Sequence, residues 1–198
     1  MKKKNQNELR IVCKNDKFGF VDKTGQIIGE VKYTKVVPFQ KGVAAVCIEG
    51  KWGVINEQGV EICAIKYDSV ESFINGFAKV ELNGKYGFIN KRGQEVCEIK
   101  YDQVLFFTKG FAMVGVNNKY GFINEQGGLA CEIKYDYISS FTNGFAIVVI
   151  GGKCGFINRR CQEICEVKYS RAWDFEGGYA KAMLDGEIKL INEEGKEF

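Results

Sequence analysis

A strict 34-residue period limits what this chain can fold into more than any other property it has. Displaced against itself by that interval, the sequence aligns Lys17-Phe18-Gly19, Lys51-Trp52-Gly53, Lys85-Tyr86-Gly87, Lys119-Tyr120-Gly121 and Lys153-Cys154-Gly155 without a gap. A unit this small cannot bury its own apolar face, so consecutive units must cover one another.

Local chemistry says what each unit is. A two-residue slot precedes every Lys-aromatic-Gly, filled by Asn15-Asp16, Glu49-Gly50, Asn83-Gly84, Asn117-Asn118, Gly151-Gly152 and, before the degenerate Glu187-Ile188-Lys189, Asp185-Gly186. Most of these residues tolerate positive φ, as a type I′ hairpin turn requires. A second turn follows each hairpin, written Asp22-Lys-Thr-Gly25, Asn56-Glu-Gln-Gly59, Asn90-Lys-Arg-Gly93, Asn124-Glu-Gln-Gly127 and Asn192-Glu-Glu-Gly195. Asx side chains bond their own backbone there, and Gly supplies the left-handed closing residue. In Cys97-Glu98-Ile99-Lys100-Tyr101-Asp102 apolar and charged residues alternate, which predicts a half-buried third strand. With 24 glycines and period-2 alternation, helical repeats of the same length are excluded.

The expected fold is all-β: an elongated array of six antiparallel β-hairpin repeats of 34 residues, with about three strands per repeat. A single domain spans residues 1–198, a polar lead occupying 1–8 and the repeats 9–198. A closed propeller or barrel ranks second, because a four-stranded blade usually takes about 40–45 residues.

Several functional classes lose their basis. Lys and Arg number 28 against 25 acids, so no strong positive field marks a dedicated nucleic-acid binder. The lead contains Lys2-Lys3-Lys4 but no apolar run of signal-peptide length follows, and no later segment approaches the ~20 apolar residues of a membrane helix. A cytoplasmic protein without membrane association is expected. Four of the eight cysteines, Cys63, Cys97, Cys131 and Cys165, recur at one repeat position and read as small buried side chains that stay reduced and metal-free. Cys161 stands where other repeats have Gly25, Gly59, Gly93 and Gly127. With no histidine, no phosphate cradle and no nucleophile elbow, neither catalytic nor metal residues are assigned, and no cofactor or small-molecule substrate is expected.

Lys51-Trp52-Gly53-Val54-Ile55-Asn56 followed by Lys66-Tyr67-Asp68 resembles the bacterial WG or KWG β-repeat family. The stretches Lys85 to Asp102 and Lys119 to Asp136 match closely with Tyr in place of Trp, so the resemblance covers nearly the whole chain. It departs in keeping the Trp in one of six repeats, in lacking the prolines usual before Lys-Tyr-Asp, and in the breakdown at Glu187-Ile188-Lys189. What the resemblance implies is a β-repeat scaffold with no shared catalytic residues. Small stand-alone repeat proteins of phages and mobile elements also serve as inhibitors of host nucleic-acid-processing enzymes, anti-CRISPR proteins among them.

The leading expectation is therefore a non-catalytic scaffold that binds another macromolecule, a protein first, with the inhibitor of a host enzyme as its alternative. A third reading makes Phe18, Trp52, Tyr86 and Tyr120 stacking platforms for single-stranded RNA beside the ladder Lys32, Lys66, Lys100, Lys134 and Lys168. The alternating Glu row at Glu30, Glu98, Glu132 and Glu166 favours instead a solvated face of exposed ion pairs. A binding site is sought where equivalent exposed positions change together. Arg159, Arg160, Arg171 and Trp173 replace Glu57, Gln58, Ser69 and Glu71 or their equivalents, and Arg and Trp are enriched at binding hot spots.

Overall fold

The computed structural model describes residues 9–198, and the polar lead 1–8 with its lysine run lies outside the described residues. None of the described residues is helical, and all strand pairing is antiparallel between neighbours in sequence. Contacts divide the chain into two compact halves, residues 1–100 and 101–198.

In the first half, Arg10–Lys14, Lys17–Val21 and Ile27–Tyr33 form a three-stranded sheet. A four-stranded one follows from Lys35–Val36, Val43–Ile48, Lys51–Asn56 and Glu61–Tyr67, and then a three-stranded one from Ser69–Val70, Phe77–Leu82 and Lys85–Asn90. The second half also has three sheets, with the four-stranded one first. Gln103–Val104, Phe111–Val116, Lys119–Asn124 and Leu129–Tyr135 make four strands; Tyr137–Ile138, Phe145–Ile150 and Lys153–Asn158 make three; Arg171–Ala172, Tyr179–Leu184 and Glu187–Asn192 make the last three. No sheet closes into a barrel.

About three strands per repeat is what the chain forms, since four of the six sheets have three. The other two have four, because the segment leading into every hairpin after the first contributes a two-residue strand, as Lys35 and Val36 do against Cys47 and Val46, and in these two the third strand is regular as well. The predicted third strand is regular only in the first, second and fourth repeats. Cys97 to Asp102 is not a regular strand, and pairing in this segment is reduced to isolated bridges, one between Ile89 and Glu95 and one at Tyr101, with the Val96 N–H donating to the Phe88 carbonyl. Even the regular third strands slip in register, between Trp52 and Val54 and between Tyr120 and Phe122, at the glycine that follows the aromatic residue. A Cβ on Gly53 would stand 2.9 Å from the Cys63 carbonyl oxygen and 3.0 Å from the Ile65 Cα. The third segment crosses the hairpin at that point, so the glycine of the Lys-aromatic-Gly signature is a steric requirement.

Turn chemistry follows the sequence closely. Both residues of every hairpin turn have positive φ, from Asn15 at 50° and Asp16 at 57° to Asp185 at 51° and Gly186 at 85°. In the second turn the Asn56 Oδ1 accepts from the backbone N–H of Gln58 and of Val60, each at 3.0 Å, and Gly59 takes φ 77°. A further type I′ turn connects each lead-in segment to its hairpin. Lys41-Gly42 is one example, with Gln40 and Val43 exchanging both backbone hydrogen bonds.

The core lies between hairpins. Phe20 and Tyr33 of the first repeat pack with Ala44, Val46 and Ile55 of the second. Phe156 and Tyr169 of the fifth pack with Ala180, Ala182 and Ile191 of the sixth. The central hairpin strand is thus buried on both faces, its Phe side toward the following repeat and its Ile side toward the preceding one. Three junctions within the halves are tightened by a phenylalanine from the incoming lead-in segment. Phe39 meets Phe20 edge-on at 4.7 Å, Phe141 lies 5.1 Å from Phe111 and 4.9 Å from Phe122, and Phe175 stacks on Phe145 at 4.1 Å.

Candidate functional site

The periodic charges have structural partners. Lys66, Lys134 and Lys168 reach Glu95, Glu163 and Glu197 of the following repeat at 2.7, 3.0 and 2.6 Å. The same carboxylates accept from the buried tyrosines Tyr67, Tyr135 and Tyr169 at 2.9, 2.9 and 2.7 Å. Burial pushes these phenols up, and the acceptor carboxylate adds to it. The Lys134 ammonium holds Glu163 below the usual carboxylate range, with the Tyr135 hydroxyl assisting.

The acid of Lys-Tyr-Asp caps the next hairpin turn. Asp68, Asp102 and Asp136 accept from the backbone N–H of Asn83, Asn117 and Gly151 at 2.6, 2.7 and 2.7 Å. Asp68 also pairs with Lys51 and Asp136 with Lys119, the lysines of the Lys-aromatic-Gly signature. The rings proposed as stacking platforms, Phe18, Trp52, Tyr86 and Tyr120, are half-buried.

Among the cysteines, Cys63 and Cys131 are buried while Cys97 and Cys165 are partly so. Burial raises the thiols of Cys63, Cys97 and Cys165. Cys161 keeps the left-handed turn conformation at φ 60° despite its side chain, and packs in the cluster that contains Cys131. The interaction between the two thiols lowers Cys161 and raises Cys131. No group of three or more His, Cys, Asp or Glu among the described residues is placed to hold a metal ion. No helix of the described residues is long and apolar enough to cross a membrane.

The four residues singled out from sequence separate in space. Arg159 donates to the Lys109 carbonyl and lies over the rings of Phe111 and Phe141, 5.4 and 5.8 Å from their centroids. It therefore seals the junction between the fourth and fifth repeats, as Lys91 does by donating to the Lys41 carbonyl in the first half. Arg160 is exposed on the same Asx turn, and Arg171 is exposed on the short strand that pairs with Met183. Trp173, 41% exposed, belongs to a groove on the sixth repeat.

That groove was not foreseen, although Trp173 pointed toward it. Trp173, Asp174, Glu176, Tyr179, Lys181 and Leu190 line about 700 Å³ of open space. Counting back two periods gives Leu105, Phe106, Thr108, Phe111, Met113 and Phe122, which line the corresponding groove of the fourth repeat. There the incoming Ile138, Ser139, Ser140 and Phe141 leave only about 40 Å³. The signal available in sequence was the concerted exchange of Phe106, Met113 and Phe122 for Asp174, Lys181 and Leu190.

Comparison with known proteins addresses the architecture. No curated protein matches by sequence. The crystal structure of a eukaryotic initiation factor is similar at 11% identity and TM-score 0.48, over 96% of this chain and 60% of that one. Hsv2p of Kluyveromyces lactis is similar at 13% identity and TM-score 0.37, over 93% and 71%. An Hsv2 with loop 6CD replaced by a Gly-Ser linker is similar at 11% and 0.41, over 79% and 61%. The chain spans about three fifths of the length of the initiation factor and of the loop-replaced Hsv2. The model of the WG containing repeat matches residues 18–52, 52–86, 86–120, 120–154 and 155–187 in unbroken succession. With the steric glycine, the Asx turn and the Lys–Asp turn cap in place at these intervals, the chain belongs to the WG-repeat family.

Proposed function

We propose that this protein is a non-catalytic WG-repeat scaffold that binds another protein through its sixth repeat. One observation carries the reading. Of the large apolar side chains left exposed among the described residues, Trp173, Tyr179, Ile188, Leu190 and Phe198 crowd into a 26-residue stretch. Exposed apolar side chains scattered singly are ordinary, whereas a contiguous patch rimmed by charge marks a contact surface. Asp174, Glu176 and Lys181 supply that rim, and Arg171 is exposed on the adjoining strand. A repeat array suits the task because its stacked hairpins hold the presenting side chains rigid without chemistry of their own. An inhibitor of a nucleic-acid-processing enzyme would use the same surface, with the enzyme as its partner. The RNA reading draws less support, since the lysine ladder is paired with glutamates and the aromatic row is half-buried.

The test is affinity capture from the native source with the 198-residue chain, with and without nuclease. A protein retained after nuclease, and lost when Arg171→Glu and Trp173→Ala are combined in a chain with an unchanged melting curve, supports the reading. RNA recovered without protein, or capture indifferent to both substitutions, overturns it.

A further inference from the structure

Within each half, the residue that closes an Asx turn lies against the third segment of the preceding repeat, and the position it faces there is the one that carries the periodic cysteine. In the first half a Cβ on Gly93 would stand 2.9 Å from the Cβ of Cys63. In the second half a Cβ on Gly195 would stand 3.4 Å from the Cβ of Cys165. Gly59 meets Gly29 in the same way, its added Cβ falling 2.6 Å from the Gly29 Cα, and Gly29 holds the cysteine position of the first repeat. A side chain on this turn is therefore aimed at the cysteine of the repeat before it. In the fifth repeat the turn residue is Cys161, and the cysteine position of the fourth is Cys131. Cys161 accordingly packs against the cluster that contains Cys131.

The spacing suits a bond between the two sulfurs. A disulfide needs Cβ atoms about 3.5–4.5 Å apart. The glycine sites lie just below that window, and making room for a real Cβ at Cys161 widens the gap into it. The turn is already held in place, since Arg159, two residues before Cys161, donates to the Lys109 carbonyl and covers the rings of Phe111 and Phe141. The two thiols are not equivalent. Cys131 is 3% exposed, whereas Cys161 is partly exposed on the turn. Their interaction holds Cys161 below the usual thiol value and, with burial, raises Cys131. Because the thiolate is the nucleophile, the accessible thiol of lower pKa is the one a small oxidant meets first.

We infer that Cys161 and Cys131 are a peroxide-responsive pair, in which Cys161 is the site of oxidation and Cys131 closes a disulfide that ties the fourth repeat to the fifth. The Cys161 thiolate, its proton released, attacks one peroxide oxygen; the O–O bond breaks, and the expelled hydroxide takes up that proton as water. Cys161 is left as a sulfenic acid. The Cys131 sulfur then attacks the Cys161 sulfur, the S–O bond breaks, and the Cys131 proton leaves with the hydroxyl as a second water. Two electrons pass from the sulfurs to the peroxide, and a dithiol reductant returns them. Cys63 and Cys165 face Gly93 and Gly195 at the same point of the repeat, so they are internal controls that the same oxidant leaves as thiols.

The test exposes the full reduced chain to a small excess of hydrogen peroxide and then alkylates it under denaturing conditions. Six of the eight thiols should remain alkylatable, and peptide mapping should place Cys131 and Cys161 in one cross-linked species. The thermal midpoint should rise by roughly 5–10 °C, because the bond constrains the unfolded chain, and should return to its starting value after a dithiol reductant. Cys161→Gly, which restores the residue of the other turns, should keep all its remaining thiols under the same treatment. In Cys131→Ala the sulfenic acid should persist at Cys161 and be trapped there by a 1,3-dione probe. All eight thiols retained, a bond between other cysteines or between chains, or the same thiol loss in Cys161→Gly would overturn the pair. A midpoint that falls on oxidation would show a strained bond and overturn the geometric assignment. A sulfenic acid trapped at Cys131 in Cys161→Gly, with none at Cys161 in Cys131→Ala, would overturn the order of attack.

Discussion

The fourth and sixth repeats put the same backbone to opposite uses. In the fourth, Phe111 and Phe122 close on Phe141, and Arg159 seals the seam, so the groove has become core. In the sixth, Tyr179 and Leu190 flank an opening of about 700 Å³ bordered by Asp174, Glu176 and Lys181. A second difference lies at the signature glycine. Gly121 is crossed by the third segment, with the Glu132 carbonyl oxygen 2.7 Å from where a Cβ would stand. The sixth repeat has Lys189 at that position, half-buried, and its outer edge pairs only near Leu190 and Ile191, with Phe198 and Glu197. In all five repeats that carry the glycine, the third segment passes within contact distance of where a Cβ would stand. The comparison teaches that a repeat residue is fixed by its neighbours' coverage more than by its own hairpin.

The largest expected effect is at the filled groove. Phe141→Ala removes the wedge from a well-packed junction and should cost about 3–5 kcal/mol in a denaturant titration, whereas Trp173→Ala should stay within about 0.5 kcal/mol. Comparable losses would erase the distinction between core and docking surface. Next comes the signature glycine. Gly121→Ala should cost about 1–3 kcal/mol by forcing the third segment away, while Lys189→Gly should cost no more than about 1 kcal/mol, the usual effect of glycine in a strand. Equal costs would mean that the crossing does not fix the glycine.

The ion pairs between repeats set a smaller, pH-dependent effect. Glu163 is held below its ordinary value of 4.5 by Lys134 first and by Tyr135 as well. A depressed folded value means that its contribution is fully present above the unfolded value and is lost as pH falls through the folded one. Being partly exposed and screened, Glu163→Gln should cost less than about 1 kcal/mol at neutral pH, with the difference from the parent vanishing below the folded value. Melting temperatures between about pH 6 and pH 3 would show the two curves converging on the acid side; a constant gap would place the stabilisation in the Tyr135 hydrogen bond instead. The smallest effect is expected at Cys161→Gly. It restores the residue that other repeats use at positive φ, so it relieves a backbone cost of about 1 kcal/mol while losing the contact with Cys131. The urea midpoint should move little, and a loss beyond about 2 kcal/mol would show that this thiol pair is a structural element in its own right.

Much of the fold was legible in the sequence. Six turn dipeptides with residues tolerant of positive φ announced six hairpins, and the Asn-x-x-Gly stretches announced the Asx turns, because both depend on groups within five residues of one another. The short lead-in strands were missed because two residues such as Lys35 and Val36 carry no periodicity, and the broken third segment because alternation at Cys97 to Asp102 reports burial and says nothing of hydrogen bonding. The Asp68 cap was missed because its partner Asn83 lies 15 residues away.

For the candidate site the division is sharper. Local chemistry along the sequence determined hairpins, turns, the alternation of core and solvent faces, and the family, since each rests on short-range sterics and hydrogen bonding. Arg159 and Trp173, both unusual at their repeat positions, looked equivalent from sequence. Only the tertiary structure decided that Arg159 is spent sealing a junction while Trp173 borders an open groove. The reason is that exposure belongs to a pair of repeats: whether a side chain meets water depends on what the next hairpin lays over it, and the residue alone does not carry that information.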